Sequence, residues 1–456
     1  MARFWDFRDA FLDNPLICEA GSEPLTYRDV SAQADAWRRE IAALAGRTKP
    51  LIVLEFETSA EAVAAYLGAL RTGWPLLVVE PGQMTPDSPI ARLYHPDIIL
   101  SRKGGEFASR RAEAAEPAGD AHPDLALLLS TSGSTGDPKL VRLSAENIDS
   151  NARAIADYLS LTSGDRAMTT LPLFYSYGLS VLNSYLAAGA GLILTRHSVV
   201  EPAFWEEFRA ARATSLALVP HQFELLDRSA MAALEEPGLR YITQAGGRLA
   251  PDLVRRFASR GRMAGWQLFL MYGQTEAAPR ISYVPPEALP GAADTIGRAV
   301  PGGRLRLFDG EREILQPGDE GELVYDGPNV MMGYAAVRAD LARGREVTEL
   351  RTGDMAQMTE DGFFRITGRL KRFVKLFGLR LSLDRIEALL RENGIVAHAV
   401  AHQDRLVLLL PETPGQPVPQ EAARMAVAAE YELPPSVVHT HPLQQVPLLP
   451  SGKIDQ

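Results

Sequence analysis

The chain is predicted to be α/β, with a large N-terminal domain of mixed and parallel sheets flanked by helices. A β-rich subdomain belongs to that domain, and a small, mobile α+β domain follows it. Three observations predict this. Apolar β-type runs alternate with helix-like stretches through the first two thirds of the sequence; strand texture becomes antiparallel near residue 303; and 456 residues exceed the usual size of one domain. In order, Leu51–Phe56 reads as a strand, Ser59–Arg71 as a helix and Pro75–Glu80 as a strand. Residues 102–123, rich in Ala, Glu, Gly and Arg, read as a surface connection. Leu192–Thr195 and Leu216–Val219 read as strands around a helix at Phe204–Ala213, and Leu268–Met271 as a further strand. Arg304–Phe308 and Gly321–Tyr325 alternate in character between Gly/Asp turns, as antiparallel strands do. After Gly368-Arg369 a basic, helix-compatible stretch opens a mixed α+β tail. The expected domains are therefore 1–368, with the β-rich part at about 300–368, and 369–456.

Composition narrows the function. A hydrophobic content of 46% supports sizeable cores, and 23% charged residues argue against global disorder. A net charge of −10 disfavours nucleic acid, whose phosphates need a basic face, and disfavours an anionic membrane surface. The single cysteine, Cys18, forms neither an internal disulfide nor a thiolate zinc site, and reads as a small buried apolar residue. No apolar h-region follows the opening Met-Ala-Arg-Phe-Trp-Asp, and runs such as Leu186–Leu194 are too short to span a bilayer. A cytoplasmic location is expected.

The strongest chemical signal is Leu127-Leu-Leu-Ser-Thr-Ser-Gly-Ser-Thr-Gly-Asp-Pro-Lys-Leu140. An apolar run leads into a loop carrying Ser130, Thr131, Ser132, Gly133, Ser134, Thr135 and Gly136, then Lys139. Glycines let backbone N–H groups approach an anion, hydroxyls add donors, and lysine supplies a compact charge. The loop suits a polyphosphate, although the Walker spacing does not fit it. A plain polar surface loop would explain the serines and glycines but not the whole ordered string.

With these residues the chain resembles the adenylate-forming superfamily: acyl- and aryl-CoA synthetases, adenylation domains of peptide synthetases, and luciferases. The likeness continues in Leu25-Thr-Tyr-Arg28, Gly68–Pro75, Tyr272-Gly-Gln-Thr-Glu276, Arg351-Thr-Gly-Asp354, Gly368-Arg369 and Pro450-Ser-Gly-Lys453, in the family's order. The resemblance implies activation of a carboxylic acid by ATP with Mg²⁺, giving acyl-AMP and pyrophosphate, followed by acyl transfer. It assigns Tyr272, with Gly273 and Gln274, and the turn Ala245-Gly246-Gly247 to adenine; an aromatic face and a side-chain-free turn suit a purine. Thr275 would donate to the α-phosphate and Glu276 would hold the metal, since Mg²⁺ takes few protein ligands beside substrate phosphates. Asp354 and Arg369 would meet the ribose, a turn aspartate being the alternative for Asp354. Lys453 would neutralise charge as the carboxylate attacks the α-phosphorus. Lys371 occupies the hinge position and Gly378 the loop lining the thioester tunnel. The plainer reading of Lys371, Arg372 and Lys375 is a solvated basic face, and Arg372 is assigned to it.

Leu171-Pro-Leu-Phe-Tyr-Ser-Tyr-Gly-Leu-Ser180 resembles the family's substrate-side motif, with Tyr175 where many CoA ligases carry His. Ser176 falls where amino-acid adenylation domains keep Asp, which disfavours an α-amino acid. The pocket is also expected to draw on His221, Gln222, Phe223 and Ala277 to Arg280. Arg280 has two readings, a partner for a second carboxylate or a surface arginine, and Arg248 shares that ambiguity. The acceptor is expected to be CoA, with a stand-alone carrier protein or an amine as alternatives. Oligomeric state and the identity of the acid are not written in the sequence. A non-catalytic nucleotide-binding protein of the same fold is the competing class.

Overall fold

The computed structural model describes residues 3–19, 21–45, 49–112, 120–130, 138–229, 234–370, 372–376, 379–402, 405–412 and 417–444. The chain divides into two compact units, Met1–Arg304 with Tyr325–Leu350, and Leu305–Val324 with Arg351–Gln456. The boundary expected at 368/369 falls inside the second unit.

Two sheets organise the first unit. Among the described residues, the seven-stranded sheet runs in the order Gly333–Ala335, Leu140–Ser144, Leu125–Ser130, Leu76–Val79, Ile52–Glu55, Ile98–Lys103, Glu106–Arg111. Ile52–Glu55 pairs in parallel with both Leu76–Val79 and Ile98–Lys103, and Ile52–Leu54, Leu76–Val79 and Ile98–Leu100 are continuous apolar runs because both faces are covered. The helix Ala60–Arg71 joins the first pair. Ser59 caps it by accepting from the Ala62 N–H, and Gly73 turns the chain back with φ +71°. The supposed connection at 102–123 instead contains an edge strand, Glu106–Arg111, antiparallel to Ile98–Lys103. Its alternating half-buried and exposed residues carry too little apolar signal to mark a strand in sequence.

The nine-stranded sheet of this unit contains the parallel strands Gly191–Leu194, Arg166–Met168, Ser215–Leu218, Tyr241–Gln244 and Gln267–Gly273, with Arg280–Val284 antiparallel beside the last. Tyr27, from Leu-Thr-Tyr, starts a helix capped by Thr26 and Asp29 and hydrogen-bonds the Ala190 carbonyl at 2.7 Å. Cys18 is buried, and burial pushes its thiol pKa up, as an inert core residue requires.

The second unit is built on five strands in the order Arg312–Ile314, Arg304–Asp309, Glu320–Asp326, Leu350–Met358, Phe364–Arg369. The stretch expected to be helical after Arg369 is a hairpin, Phe373–Leu376 with Leu379–Ser382. Its apolar residues recur every second position, so Val374, Leu376 and Leu381 share one buried face. The helix Leu383–Glu392 then buries Leu383, Ile386 and Leu390 on a three-stranded sheet carrying Ala399, Leu406, Leu408 and Leu410. Arg372 is not a solvated cation: its guanidinium reaches Asp384, Glu387 and the Ala399 carbonyl. Among the described residues no helix is long and apolar enough to cross a membrane.

Candidate active site

Of the residues singled out from the sequence, Thr131, Ser132, Gly133, Ser134, Thr135, Gly136, Lys371, Gly378 and Lys453 lie outside the described residues. The others fall into clusters, each within one unit.

The strand Tyr241–Gln244 ends in the Ala245-Gly246-Gly247 turn. Gly246 has φ +84°, and the Gln244 side-chain amide holds the turn by donating to the Gly247 carbonyl at 2.8 Å. A Cβ on Gly246 would come within 2.9 Å of the Tyr175 hydroxyl, so the small turn and Tyr175 face each other. Tyr175 stands just before the helix Ser176–Ala188 and is half-buried. Burial raises its pKa, against the lowering effect of Arg280.

Tyr272 is half-buried near the end of its strand and accepts from the Gln274 side chain at 3.1 Å. At Gly273 the chain passes so close to the returning strand that a Cβ would lie 2.0 Å from the Pro279 carbonyl oxygen. Thr275–Ala277 form a short turn that presents Glu276, whose carboxylate accepts from the Tyr334 hydroxyl at 2.8 Å. Tyr334 also lies under Lys139, whose Nζ is 3.6 Å from the ring centroid. The register explains the meeting: Tyr334 pairs with Val141 and Ala335 with Leu140, beside Lys139. Burial, then the neighbouring Glu276 charge, holds the Tyr334 phenol well above its ordinary pKa, so it remains a donor. Arg142, fully buried, fastens this strand by donating to the Tyr334 and Gly344 carbonyls and to Glu346. A side chain at Gly333 would strike Arg142 and Glu346 at 2.7 and 2.8 Å. Sequence reasoning missed Tyr334, because Met332-Gly-Tyr-Ala335 has no spacing that marks it.

Among the described residues no three His, Cys, Asp or Glu side chains gather as a cage for a metal. A single half-buried carboxylate, oriented by a phenol and near a lysine, suits Mg²⁺, which fills its octahedron with phosphate oxygens and water.

On the acid side, Ala277 is buried, Ser176 half-buried and His221 exposed on the helix Pro220–Ser229. Phe223 is core, packed edge-on against Phe257. Arg280 is enclosed, not at the surface, with its guanidinium 4.9 Å from the Tyr177 ring centroid. Arg248 is exposed. A cleft of about 550 Å³ is lined by Glu57, Thr170, Phe174, His197 and Gln222 among others, just beyond the carboxyl ends of Ile52–Glu55 in one sheet and of Arg166–Met168 and Gly191–Leu194 in the other. Such strand ends are where open α/β sheets take ligands. None of Tyr175, Ser176, His221, Ala277 or Arg280 lines it; their neighbours Phe174 and Gln222 do.

In the second unit, Asp354 pairs in register with Arg369, and Nε of the arginine lies 3.3 Å from the buried carboxylate. The two predicted ribose residues therefore form one charged pair, with Arg369 mostly exposed and Asp354 fixed in its strand.

The first unit thus carries a glycine turn facing Tyr175 and one carboxylate, Glu276, oriented by a phenol that lies beneath a lysine. The family described as AMP-binding enzyme matches residues 92–335, and the chain belongs to this adenylate-forming group. It is 34% identical over 289 residues to an oxalate–CoA ligase of Arabidopsis thaliana, covering 61% of this chain and 55% of the relative. It is 33% identical to an indoleacetate–CoA ligase of Aromatoleum aromaticum, with coverages of 59% and 52%. The match thus spans about half the length of these curated relatives. The fold is similar to ATP-bound MatB from Rhodopseudomonas palustris, at a TM-score of 0.81, 22% identity, and coverages of 99% and 96%.

Proposed function

We propose that this chain activates a carboxylic acid with ATP and Mg²⁺ and then transfers the acyl group to the thiol of CoA. The observation that carries this reading is the juxtaposition of Lys139, Tyr334 and Glu276 at the exit of the phosphate-type loop. One cation for phosphate and one oriented carboxylate for Mg²⁺ stand side by side there. The matching stretches of the curated relatives, both acid–CoA ligases, support the same chemistry.

In the first step a carboxylate oxygen attacks the α-phosphorus, and the bond to the pyrophosphate oxygen breaks. In the second the CoA sulfur attacks the acyl carbon, its proton leaves, and AMP departs with the electron pair of the acyl–oxygen bond. Two anions meet in the first step, so neutralising charge and positioning are the main tasks. Lys139 and the hydroxyls of 131–136 hold the phosphates, and Thr275 donates to the α-phosphate. Tyr272 and Ala245-Gly246-Gly247 take the purine, and Asp354 with Arg369 the ribose. Lys453 supplies the cation at the reacting phosphate. Lys371 serves as the hinge and Gly378 lines the thiol path. Mg²⁺ at Glu276 would neutralise phosphate charge when bound.

The test is ATP–pyrophosphate exchange across a panel of carboxylic acids, followed by mass spectrometry with CoA, amines or a phosphopantetheine carrier protein. Acid-dependent exchange and a CoA thioester are expected. Absence of exchange with every acid would overturn the activation step, and an amide or carrier-bound product would replace CoA as acceptor.

A further inference from the structure

Among the described residues three arginines are buried: Arg142 at 0% exposure, Arg280 at 2% and Arg338 at 4%. Two of them have a carboxylate. Arg142 meets Glu346 together with the Tyr334 and Gly344 carbonyls. Arg338 meets Asp97 at 2.7 Å together with the Tyr94 and His95 carbonyls. Arg280 has no carboxylate within ion-pair distance among the described residues. Its Nη2 donates to the Ser180 hydroxyl at 3.4 Å, and its guanidinium lies over the Tyr177 ring. Its Nε, also buried, has no hydrogen-bond partner among the described residues.

The backbone of Arg280 does not need that side chain. Asn151 accepts from its N–H at 3.2 Å, and Asn151 and Asn329 both donate to its carbonyl at 2.9 Å. Rings and hydroxyls soften the burial of a guanidinium but supply no negative charge, and a buried cation without an anion is costly. The place is specific. Arg280 follows Glu276 by four residues, lies opposite Gly273 in the strand register, and touches the helix that begins at Ser176. Its charge also acts on Tyr175, which faces the Gly246 turn. A guanidinium fork binds a carboxylate by donating two parallel N–H bonds.

We propose that the acid activated by this chain is a dicarboxylic acid, and that Arg280 pairs with the carboxylate that is not adenylated. The inference rests on the acid-activating reading above, and it makes Arg280 the residue that sets substrate class.

The experiment compares matched acids in ATP–pyrophosphate exchange: succinic with butyric, glutaric with pentanoic, adipic with hexanoic and phthalic with benzoic. The wild-type chain is expected to prefer the diacid of at least one pair. Arg280→Met should lower kcat/KM for that diacid by about 10²-fold or more, and leave its monoacid partner within a few-fold. Arg280→Lys, which keeps the charge and loses the fork, should fall between them on the diacid alone. Should Arg280→Met fail to fold, the wild-type pairs and Arg280→Lys still decide. Exchange with monoacids at equal or higher efficiency in every pair overturns this inference and leaves acid activation standing. No exchange with any acid overturns both.

Discussion

Tyr334 joins the two charges that the phosphate chemistry needs, donating to Glu276 at 2.8 Å and lying 3.6 Å beneath Lys139. A hydrogen bond to a charged group contributes about 1.5–3 kcal/mol, so losing it matters. In Tyr334→Phe the ring under Lys139 stays and the donor to Glu276 goes. Calorimetric titration with ATP should show Mg²⁺-free affinity unchanged and the gain on adding Mg²⁺ cut by roughly tenfold. Tyr334→Leu, lacking the ring as well, should weaken both. If Tyr334→Phe binds ATP as the wild type does with and without Mg²⁺, the phenol does not position Glu276. A second residue carries a larger expectation. Lys453→Ala should lose roughly 10²-fold or more in adenylation, as preorganised charge stabilisers do, and far less in transfer from preformed acyl-AMP. Pyrophosphate exchange at the wild-type rate in that variant would remove Lys453 from the mechanism.

At the scale of elements, the turn that presents Glu276 depends on how closely two antiparallel strands approach. Gly273 leaves no room for a Cβ, because the Pro279 carbonyl oxygen would sit 2.0 Å away and the Arg280 Cα 3.2 Å away. Both obstacles are backbone, so Gly273→Ala must move a strand. A loss of about 2 kcal/mol or more is expected, visible as a lower midpoint in urea unfolding. An unchanged midpoint would show that the strands yield easily. The same scale explains what could be read in the sequence. Strands at 52–55, 76–79 and 191–194 and the helix at 60–71 were legible because apolar runs and an N-cap serine are local signals. The hairpin at 373–382 was not, because each of its strands is only four residues long and gives too few positions for a period of two to stand out. The order of the motifs singles out Tyr272, Gly246 and Glu276, and the roles proposed for them rest on that order. Tyr334, the burial of Arg280 and the ion pairs of Arg372 were not legible, since each depends on partners outside its own strand or turn: Glu276, Tyr177 and Glu387.

The whole molecule raises a problem of access. On the proposed chemistry, the acyl carbon that a thiol would reach lies next to the phosphate that Lys453 is expected to neutralise, so the two steps are expected to need different arrangements. Lys371 is the expected pivot; in sequence Lys139 and Glu276 precede it and Lys453 follows it. A pivot works by changing φ and ψ at a few positions. Proline fixes φ near −65° and removes an N–H, so Lys371→Pro should hold the chain in one arrangement. If that arrangement is the adenylating one, exchange should stay within a few-fold while thioester formation from preformed acyl-AMP falls at least about tenfold. A locked transfer arrangement would give the opposite split, and either split supports a pivot at Lys371. Equal losses in both steps, with unfolding unchanged, would mean that Lys371 is not the pivot; no loss in either would mean that rotation there is unnecessary.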